Sequence, residues 1–241
     1  MMKVFITGST DGLGKLAAQD LLAKGHEVLL HARNQKRADK IMQQLPNAMD
    51  VVIADLSNVE ETTAMANEVN AFGSFDSIIH NAGVYHADRS LIFKVNLLAP
   101  YILTCLIQKP KRLIYMNSAM HLGGRFFTKD LMKGVSYSDS KLLLLVFANA
   151  VARKWPAVYV NSVNPGWVPT KMGGSGAPDD LQKGVDTQVW LAISNQSEAL
   201  VTGKYFYHLK ESTYNQLADD ATKQEDLLHA LAKISGIEFP S

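Results

Sequence analysis

The sequence contains a single cysteine, Cys105, and almost no excess charge of either sign. One thiol excludes an internal disulfide framework and a zinc site built from cysteine ligands. Because 24 Lys and Arg residues stand against 23 Asp and Glu residues, the formal net charge is +1, and no overall field attracts nucleic acid or an anionic membrane. We therefore expect a cytoplasmic protein without a nucleic-acid partner. These absences do not separate an enzyme from a binding module.

Long hydrophobic runs and metal-ligand spacings are also missing. The longest apolar runs, Val95–Ile107 and Leu142–Ala152, fall short of the roughly 20 residues that span a bilayer, so no membrane span is predicted. The second run has too many apolar positions for one core stripe, which leaves open a contact with another subunit or with the sheet and a neighbouring helix. The oligomeric state stays open, and no histidine spacing favours a metal site.

A regular alternation of short apolar runs and longer helical stretches is present instead. The runs rich in Val and Ile predict strands at about 3–7, 27–32, 50–54, 75–80, 112–117, 157–163 and 203–208. The stretches between them predict helices at about 12–24, 35–45, 58–71, 89–108, 136–154 and 179–195. This alternation predicts an α/β, doubly wound parallel sheet with helices on both faces. The length fits one domain over 1–241.

Residues at the ends of these elements refine the prediction. Gly25 follows the first helix, as glycine commonly does just past a helix C-terminus. Ser57, with Glu60 three residues later, is a candidate N-cap of the third helix. The Gly- and Pro-rich segment 165–180 follows the sixth strand. We therefore expect 165–180 to be mobile, within a substrate loop over about 165–195 at the carboxyl edge of the sheet, where such folds bind ligands.

A glycine-rich loop joins the first strand to the first helix. Its residues after Thr7 are Gly8, Ser9, Thr10, Asp11, Gly12, Leu13 and Gly14. The spacing is G-x-x-x-G-x-G, in which glycines allow a tight turn and let a pyrophosphate approach the helix N-terminus. The loop predicts a dinucleotide site, and a simple strand–helix turn is the alternative.

The end of the second strand indicates which dinucleotide is preferred. NAD-binding folds carry an acid about 20 residues past the glycines, which binds the ribose hydroxyls. The stretch Val28–Ala38 has no acid and offers Arg33, followed by Lys36 and Arg37, and an arginine guanidinium can bind a 2′-phosphate. This favours NADP over NAD, and a solvated basic helix start is the alternative.

Tyr137 and Lys141 are spaced to share one face of the fifth long helix. Tyr137 is the only one of the eight tyrosines with a lysine four residues later. A phenol is a poor base because its ordinary pKa is about 10, and we expect the neighbouring ammonium and a positive nicotinamide to lower it. The pair alone is also compatible with plain solvation of a helix.

Taken together, the motifs resemble the short-chain dehydrogenase/reductase superfamily, classical type. They are Thr7–Gly14, Asp55-Leu56, Asn81-Ala82-Gly83, Asn96, Ser118, Tyr137-x-x-x-Lys141 and Pro165-Gly166. The resemblance covers nearly the whole chain. It implies a Rossmann-type, three-layer fold of about seven strands in the order 3-2-1-4-5-6-7.

The resemblance also implies a role for each motif residue. Tyr137 would be the general acid/base, Lys141 would lower its pKa and hold the nicotinamide ribose, and Ser118 would orient the carbonyl or alcohol. Asn96 would support Lys141 through a water. The further cofactor contacts implied are Asp55 and Leu56 at the adenine, Asn81, Ala82 and Gly83 along the cofactor, and Pro165, Gly166, Val168 and Thr170 at the nicotinamide end.

Two further segments are similar to the retinol-dehydrogenase-like branch of this superfamily. They are 117–121, Asn-Ser-Ala-Met-His, and 202–206, Thr-Gly-Lys-Tyr-Phe, followed by a charged C-terminal helix ending near Ile234. That branch acts on lipophilic carbonyls and alcohols, often with NADP. Asn117 replaces a serine, and Leu97 and Ala99 replace a histidine and a glycine of the branch pattern. The resemblance therefore implies the chemistry but not retinoid specificity.

The sequence thus predicts an NADP-preferring oxidoreductase that transfers a hydride between the nicotinamide and a small or lipophilic carbonyl or alcohol substrate. The alternative is a non-catalytic dinucleotide-binding regulator or scaffold on the same fold, which need not keep Asn96, Ser118, Tyr137 and Lys141. An epimerase or dehydratase with a larger substrate domain would need a longer chain.

Overall fold

Eight strands form one sheet in the structure, a computed structural model that describes residues 1–240. The strands are β1 (Lys3–Ile6), β2 (Glu27–Ala32), β3 (Asp50–Ile53), β4 (Ser77–His80), β5 (Arg112–Met116), β6 (Tyr159–Asn164), β7 (Lys204–Tyr207) and β8 (Lys210–Glu211). Their spatial order is β3-β2-β1-β4-β5-β6-β7-β8. The pairs from β3 to β7 are all parallel, which confirms the predicted doubly wound sheet.

Helices follow the strands in the predicted alternation. They are α1 (Gly12–Ala23), α2 (Gln35–Gln44), α3 (Val59–Ala71), α4 (Arg89–Phe93), α5 (Ala99–Leu106), α6 (Tyr137–Lys154), α7 (Leu181–Ile193) and α8 (Ala221–Ser235). A π-helical turn, Lys94–Leu98, joins α4 to α5, so the predicted helix at 89–108 is one continuous segment with a widened turn. Short 3₁₀ turns lie at Ala119–Gly123, Leu131–Lys133 and Gln216–Asp219.

Two apolar layers lie on the two faces of the sheet. Along β1, Val4 and Ile6 pack in the layer with α1, α2 and α7, whereas Phe5 packs in the layer with α3, α5, α6 and α8. Because both faces are covered, both sets of alternate side chains are buried. This explains why the strands are apolar without alternation in the sequence.

The short strand β8 was not predicted from the sequence. It pairs with β7 in antiparallel register through a two-residue turn in which His208 and Leu209 have φ of +47° and +66°. A two-residue hairpin of this twist requires positive φ at both positions, and Asn or Gly normally supplies it. Since His208 and Leu209 are not the residue types that normally mark such a turn, the sequence did not predict the hairpin.

The predicted N-cap of α3 was wrong by one residue. Asn58 is the cap, and its side-chain oxygen accepts a hydrogen bond from the backbone N–H of Glu61 at 3.2 Å. Ser57 instead donates its N–H and hydroxyl to Asp55 Oδ1 at 2.9 and 2.8 Å. Ser57 therefore belongs to the loop after β3, which it fixes through Asp55.

Helix α6 is covered on all sides by its own chain. Every residue from Asp139 to Ala152 is buried, and Leu227, Leu228 and Leu231 of α8 pack in the same apolar layer. The second apolar face of α6 is thus covered by the sheet and by α8. Of the two alternatives left open by the sequence, burial within the chain accounts for this run.

One segment, Arg89–Leu106, is long and apolar enough to span a membrane by length and composition alone. Of the residues in this segment, 67% are buried, as expected for a helix in a protein core. No group of three His, Cys, Asp or Glu residues within 1–240 could hold a metal ion.

Candidate active site

A cleft of about 500 Å³ lies along the carboxyl ends of the strands, between the loops that follow β1 to β6. Fifteen of the site residues predicted from the sequence line it: Gly8, Thr10, Asp11, Gly12, Leu13, Arg33, Asp55, Leu56, Asn81, Ala82, Gly83, Tyr137, Lys141, Pro165 and Thr170. The others, Ser9, Gly14, Asn96, Ser118, Gly166 and Val168, lie outside its wall. Lining residues that the sequence did not single out include His31, Met116 and Lys171.

The glycine loop approaches the segment after β4 too closely for side chains. A Cβ on Gly8, whose φ is +65°, would lie 2.9 Å from the Cα of Ala82. A Cβ on Gly14 would overlap the side-chain amide of Asn81. That amide donates to the carbonyl oxygens of Thr7 and Gly8 at 3.0 and 3.1 Å. Gly14 therefore packs against Asn81 and does not line the cleft, and the glycines are required for packing as well as for ligand binding.

Asp11 connects the glycine loop to the segment after β6. It caps α1 by accepting from the N–H of Gly12 at 2.9 Å, and its carboxylate forms an ion pair with Lys171. The hydrogen bond from Lys171 lowers the pKa of Asp11. Because Lys171 lies in the predicted substrate loop, this pair joins that loop to the glycine loop at the cleft wall.

Two arginines face the cleft beyond the end of β2. Arg33 lies near Asp55, and Arg37 donates to the hydroxyl of Thr10 at 3.3 Å. Burial alone would raise the pKa of Asp55, but hydrogen bonds from Ser57 and the charge of Arg33 give a net lowering. Arg37 belongs to the basic stretch that the sequence places where a 2′-phosphate would lie, and it lines the cleft together with Arg33.

The amino-terminal end of α6 places Tyr137 in the cleft. Ser136 caps the helix by accepting from the N–H of Asp139 at 3.1 Å, and the Asp139 carboxylate accepts in return from the N–H of Ser136 at 3.3 Å. Asp139 also accepts from the N–H of Arg125 at 2.8 Å. This capping box fixes the first residue of the helix, Tyr137, at the cleft wall.

Burial dominates the proton affinities of the pair at the start of α6. It raises the pKa of Tyr137 to about 12, against a lowering contribution from the hydroxyl of Ser118. It lowers the pKa of Lys141 to about 8. The Lys141 ammonium lies 5.5 Å from the centre of the Tyr137 ring and donates to the carbonyl of Met116 at 2.8 Å. The protein side chains alone therefore raise the pKa of Tyr137 and do not produce the lowering that the sequence led us to expect.

Ser118 and Asn117 form the turn that follows β5. The side-chain oxygen of Asn117 accepts from the N–H of Ser118 at 2.8 Å, and its amide donates to the carbonyl of Lys141 at 3.1 Å. Asn117, the residue that departs from the branch pattern, therefore ties β5 to the first turn of α6. These two hydrogen bonds fix the backbone of Ser118 relative to that of Lys141.

The side chain of Asn96 forms hydrogen bonds with the backbone of the segment after β4 and with a side chain of α6. Its oxygen accepts from the N–H of Val84 at 2.8 Å, while its amide donates to the carbonyl of Val84 at 2.9 Å and to Ser140 at 3.2 Å. Asn96 thus braces the loop at Gly83 against α6. A water-mediated link from Asn96 to Lys141 stays a prediction.

His121, near Ser118, has a structural role in these contacts. Its Nδ1 lies 2.7 Å from the carbonyl of Ser118, and its Nε2 accepts from the N–H of Asn215 at 3.2 Å. Its ring packs against Tyr205 with a centroid distance of 4.9 Å. Among the exposed apolar side chains Met120, Leu122, Trp167 and Met172, Met172 lines the cleft.

Comparisons with known proteins agree with this geometry. The family model "short chain dehydrogenase" matches residues 2–180. The chain is 42% identical to an uncharacterized oxidoreductase of Emericella nidulans, covering 100% of this chain and 99% of the other. It is also 42% identical to the short-chain dehydrogenase chyC of Penicillium rubens, covering 100% of both chains. Identity to retinol dehydrogenase 14 of Mus musculus is 28%, over 86% of this chain and 78% of the other.

Solved structures share the fold. A protein from Mycobacterium paratuberculosis superposes with a TM-score of 0.83 at 21% identity, covering 100% of this chain and 96% of the other. NADPH-bound carbonyl reductase from chicken fatty liver superposes with a TM-score of 0.69 at 20% identity, covering 89% of this chain and 99% of the other.

Proposed function

Because this chain belongs to the short-chain dehydrogenase family, we propose that it is an NADP-preferring oxidoreductase that converts a carbonyl to an alcohol or the reverse. The chain is an oxidoreductase of that family with relatives among the retinol dehydrogenases. The observation that carries the finer proposal is the cleft itself, which brings Tyr137, Lys141, two arginines and the glycine loop to one wall.

The cleft fits a dinucleotide. The close contact of Gly8 with Ala82 leaves backbone rather than side chains at the loop surface, and helix α1 begins directly after it. A helix N-terminus with exposed N–H groups favours a phosphate. We assign the pyrophosphate to Gly8–Gly12 and the adenine to the wall at Asp55 and Leu56.

The preference for NADP rests on charge at the adenosine end. Arg33 and Arg37 line the cleft there together with Thr10, and β2 ends without an acid. Two guanidinium groups, one of which donates to the Thr10 hydroxyl, favour a 2′-phosphate over a free ribose hydroxyl. The NADPH-bound carbonyl reductase of the same fold is consistent with this preference.

The nicotinamide, when bound, supplies or accepts the hydride at the substrate carbon. In the reduction direction, the Tyr137 phenol gives its proton to the carbonyl oxygen, and in the oxidation direction it takes that proton back. Ser118 donates a hydrogen bond to the same oxygen, and Lys141 places a positive charge beside the phenolate that forms. The high pKa of Tyr137, about 12, keeps the phenol protonated at neutral pH, as a proton donor requires.

The test is a panel of aldehydes, ketones and quinones, followed by the loss of reduced-nicotinamide absorbance, with NADPH and NADH in parallel. We expect turnover with at least one carbonyl class and a lower KM for NADPH. The variant Arg33→Ala should weaken NADPH about ten-fold or more, the size of a lost charge-assisted contact, and NADH little. Equal losses for both cofactors would remove Arg33 from 2′-phosphate recognition, and no oxidation of either cofactor would contradict the activity.

A further inference from the structure

The cleft contains a buried histidine, His31, whose side chain belongs to none of the family motifs. His31 is the second-last residue of β2, where it pairs with Val52 of β3, and it is 3% exposed. We propose that neutral His31 is a positioning residue that holds the glycine loop in the conformation that binds the cofactor pyrophosphate. The inference rests on the proposed function, since it concerns the same cofactor.

The imidazole joins two loops that lie far apart in the sequence. Its Nδ1 accepts a hydrogen bond from the N–H of Gly8 at 2.8 Å, and its Nε2 lies 3.0 Å from the carbonyl oxygen of Ala54. An N–H can only donate and a carbonyl can only accept. The ring is therefore neutral, with its proton on Nε2, and it connects the loop after β1 to the loop after β3.

The backbone of His31 adds to this connection through Ser9. The N–H of His31 donates to Ser9 Oγ at 2.8 Å, and the N–H of Ser9 donates to the carbonyl of His31 at 3.3 Å. Ser9 is fully buried and does not line the cleft. Its place in the glycine motif is thus explained by its bonds to His31 rather than by contact with a ligand.

Gly8 is held from both sides. Its N–H points to His31 and its carbonyl accepts from Asn81 at 3.1 Å. With φ at +65°, Gly8 has the conformational freedom to rotate its peptide groups if either partner is lost. Loss of the acceptor at residue 31 would leave a buried N–H unpaired, and the turn before α1 would no longer present its N–H groups to the cleft.

Protonation of His31 would have the same effect, because Nδ1–H would then face the Gly8 N–H. The charged groups that line the same cleft are Asp11, Asp55, Arg33, Arg37, Lys141 and Lys171, of which Asp55 favours the protonated ring. Burial outweighs this attraction and lowers the pKa of His31 to about 4. The ring is therefore neutral at physiological pH.

Two substitutions separate the two side-chain bonds. In His31→Asn the side-chain oxygen occupies the place of Nδ1 and can accept from Gly8, but the bond to Ala54 is lost. In His31→Gln the amide reaches the place of Nε2 and can donate to Ala54, but the acceptor for Gly8 is lost. A matched control is His26→Gln, because His26 Nδ1 accepts a backbone N–H from Met2 at 3.1 Å at the opposite edge of the sheet.

The measurement is the Kd of NADPH from its fluorescence, together with the Tm of each unliganded variant. We expect His31→Gln to weaken NADPH about ten-fold or more and His31→Asn about three-fold or less, although each loses one hydrogen bond. The His26→Gln variant should bind like the wild type. As the pH falls from 5.5 toward 4, the wild-type Kd should rise more steeply than that of His31→Asn.

Equal losses of affinity in His31→Asn and His31→Gln, or losses that follow Tm alone, would overturn the inference and leave His31 a general structural residue. Parallel pH profiles in the wild type and His31→Asn would overturn the protonation argument. A wild-type protein that binds neither NADPH nor NADH would contradict the proposed function itself, so the two failures are distinguishable.

Discussion

At the scale of single residues, the main chemical feature is the opposite effect of burial on Tyr137 and Lys141. Burial raises the pKa of the phenol to about 12 and lowers that of the ammonium to about 8. At neutral pH the phenol is therefore protonated while Lys141 is mostly charged. The protein alone thus favours proton donation to a carbonyl oxygen, and oxidation of an alcohol should need a higher pH than the reduction.

Removal of the Tyr137 hydroxyl should separate chemistry from cofactor binding. We expect Tyr137→Phe to lower kcat by about 10²–10⁴-fold, the usual contribution of a general acid, with the Kd of NADPH changed less than three-fold, within about 0.7 kcal/mol. The control is Tyr85→Phe, because the Tyr85 ring packs edge-on against Tyr137 at 4.6 Å but supplies no proton. Stopped-flow turnover and NADPH fluorescence give both quantities. A Tyr137→Phe enzyme with near-normal turnover would refute the assigned acid.

At the scale of elements, α8 has a larger part in the fold than its charged sequence suggests. Its apolar residues pack in the layer that covers α6, and its amino-terminal turn is tied to α6 where Arg153 donates to Gln224 at 2.7 Å. Asn149 of α6 donates to Asp219 just before α8 at 2.8 Å. Because α6 also carries Tyr137 and Lys141, to which we assign the proposed chemistry, α8 supports the helix that positions these two residues.

Truncation of one buried leucine of α8 tests this support. Leu231 is fully buried, so Leu231→Ala should lower the free energy of unfolding by about 2–5 kcal/mol. The control His229→Ala alters the exposed face of the same helix and should change it by less than about 0.5 kcal/mol. Urea titration followed by tryptophan fluorescence measures both. If the two variants are equally stable, α8 is not part of the cooperative core.

The order of strands and helices could be predicted because each element carries its own pattern, and the pattern of buried strands is local. The hairpin at His208 and Leu209 could not, since it is held by positive φ values that these residue types seldom adopt. The cap of α3 was missed because Ser57 and Asn58 are equally good capping residues, and only the bond of Ser57 to Asp55 decides between them.

In the candidate site, too, short-range patterns could be predicted from the sequence, whereas contacts made by strand pairing could not. The glycine loop and the Tyr137–Lys141 pair are short-range patterns, and the sequence was sufficient to place them together. His31 carries no such pattern: it is a single polar residue in an apolar strand, and its partners Gly8 and Ala54 are 23 residues away on either side. Its role depends on strand pairing, which is a property of the folded chain.

At the scale of the whole molecule, a nearly neutral chain contains histidines that are buried in neutral form. Burial lowers the pKa of His31 to about 4 and that of His80 to about 3. His80 stacks on Tyr115 at 4.8 Å, its Nε2 contacts Thr104 at 3.3 Å, and its Nδ1 has no partner among residues 1–240. Since an unfolded histidine titrates near about 6.5, the unfolded chain binds more protons than the folded one below that pH.

This difference fixes how stability depends on pH. Unfolding that takes up protons becomes easier as the pH falls, so Tm should drop continuously from pH 6.5 to about 4. The aspartates with lowered pKa, such as Asp11 and Asp139, lose their stabilising charge only as the pH falls below about 3.9. Glu68, whose pKa is raised by burial, acts in the opposite direction. Glu225, whose pKa is lowered mainly by its hydrogen bond from Arg153, loses its stabilising charge near the unfolded value of about 4.3. The loss of stability between pH 6.5 and about 5 therefore comes from the histidines with lowered pKa.

The variant His80→Phe tests the assignment, because it keeps an aromatic ring against Tyr115 and removes the titrating group. We expect its Tm at pH 7 to lie within a few degrees of the wild type, and its fall between pH 6.5 and 4 to be smaller. His229→Gln, on the exposed face of α8, should follow the wild-type curve. Differential scanning fluorimetry at half-unit pH steps gives the three curves. If the wild-type and His80→Phe curves run parallel, the acid sensitivity has another origin and His80 is protonated as readily in the folded chain as in the unfolded one.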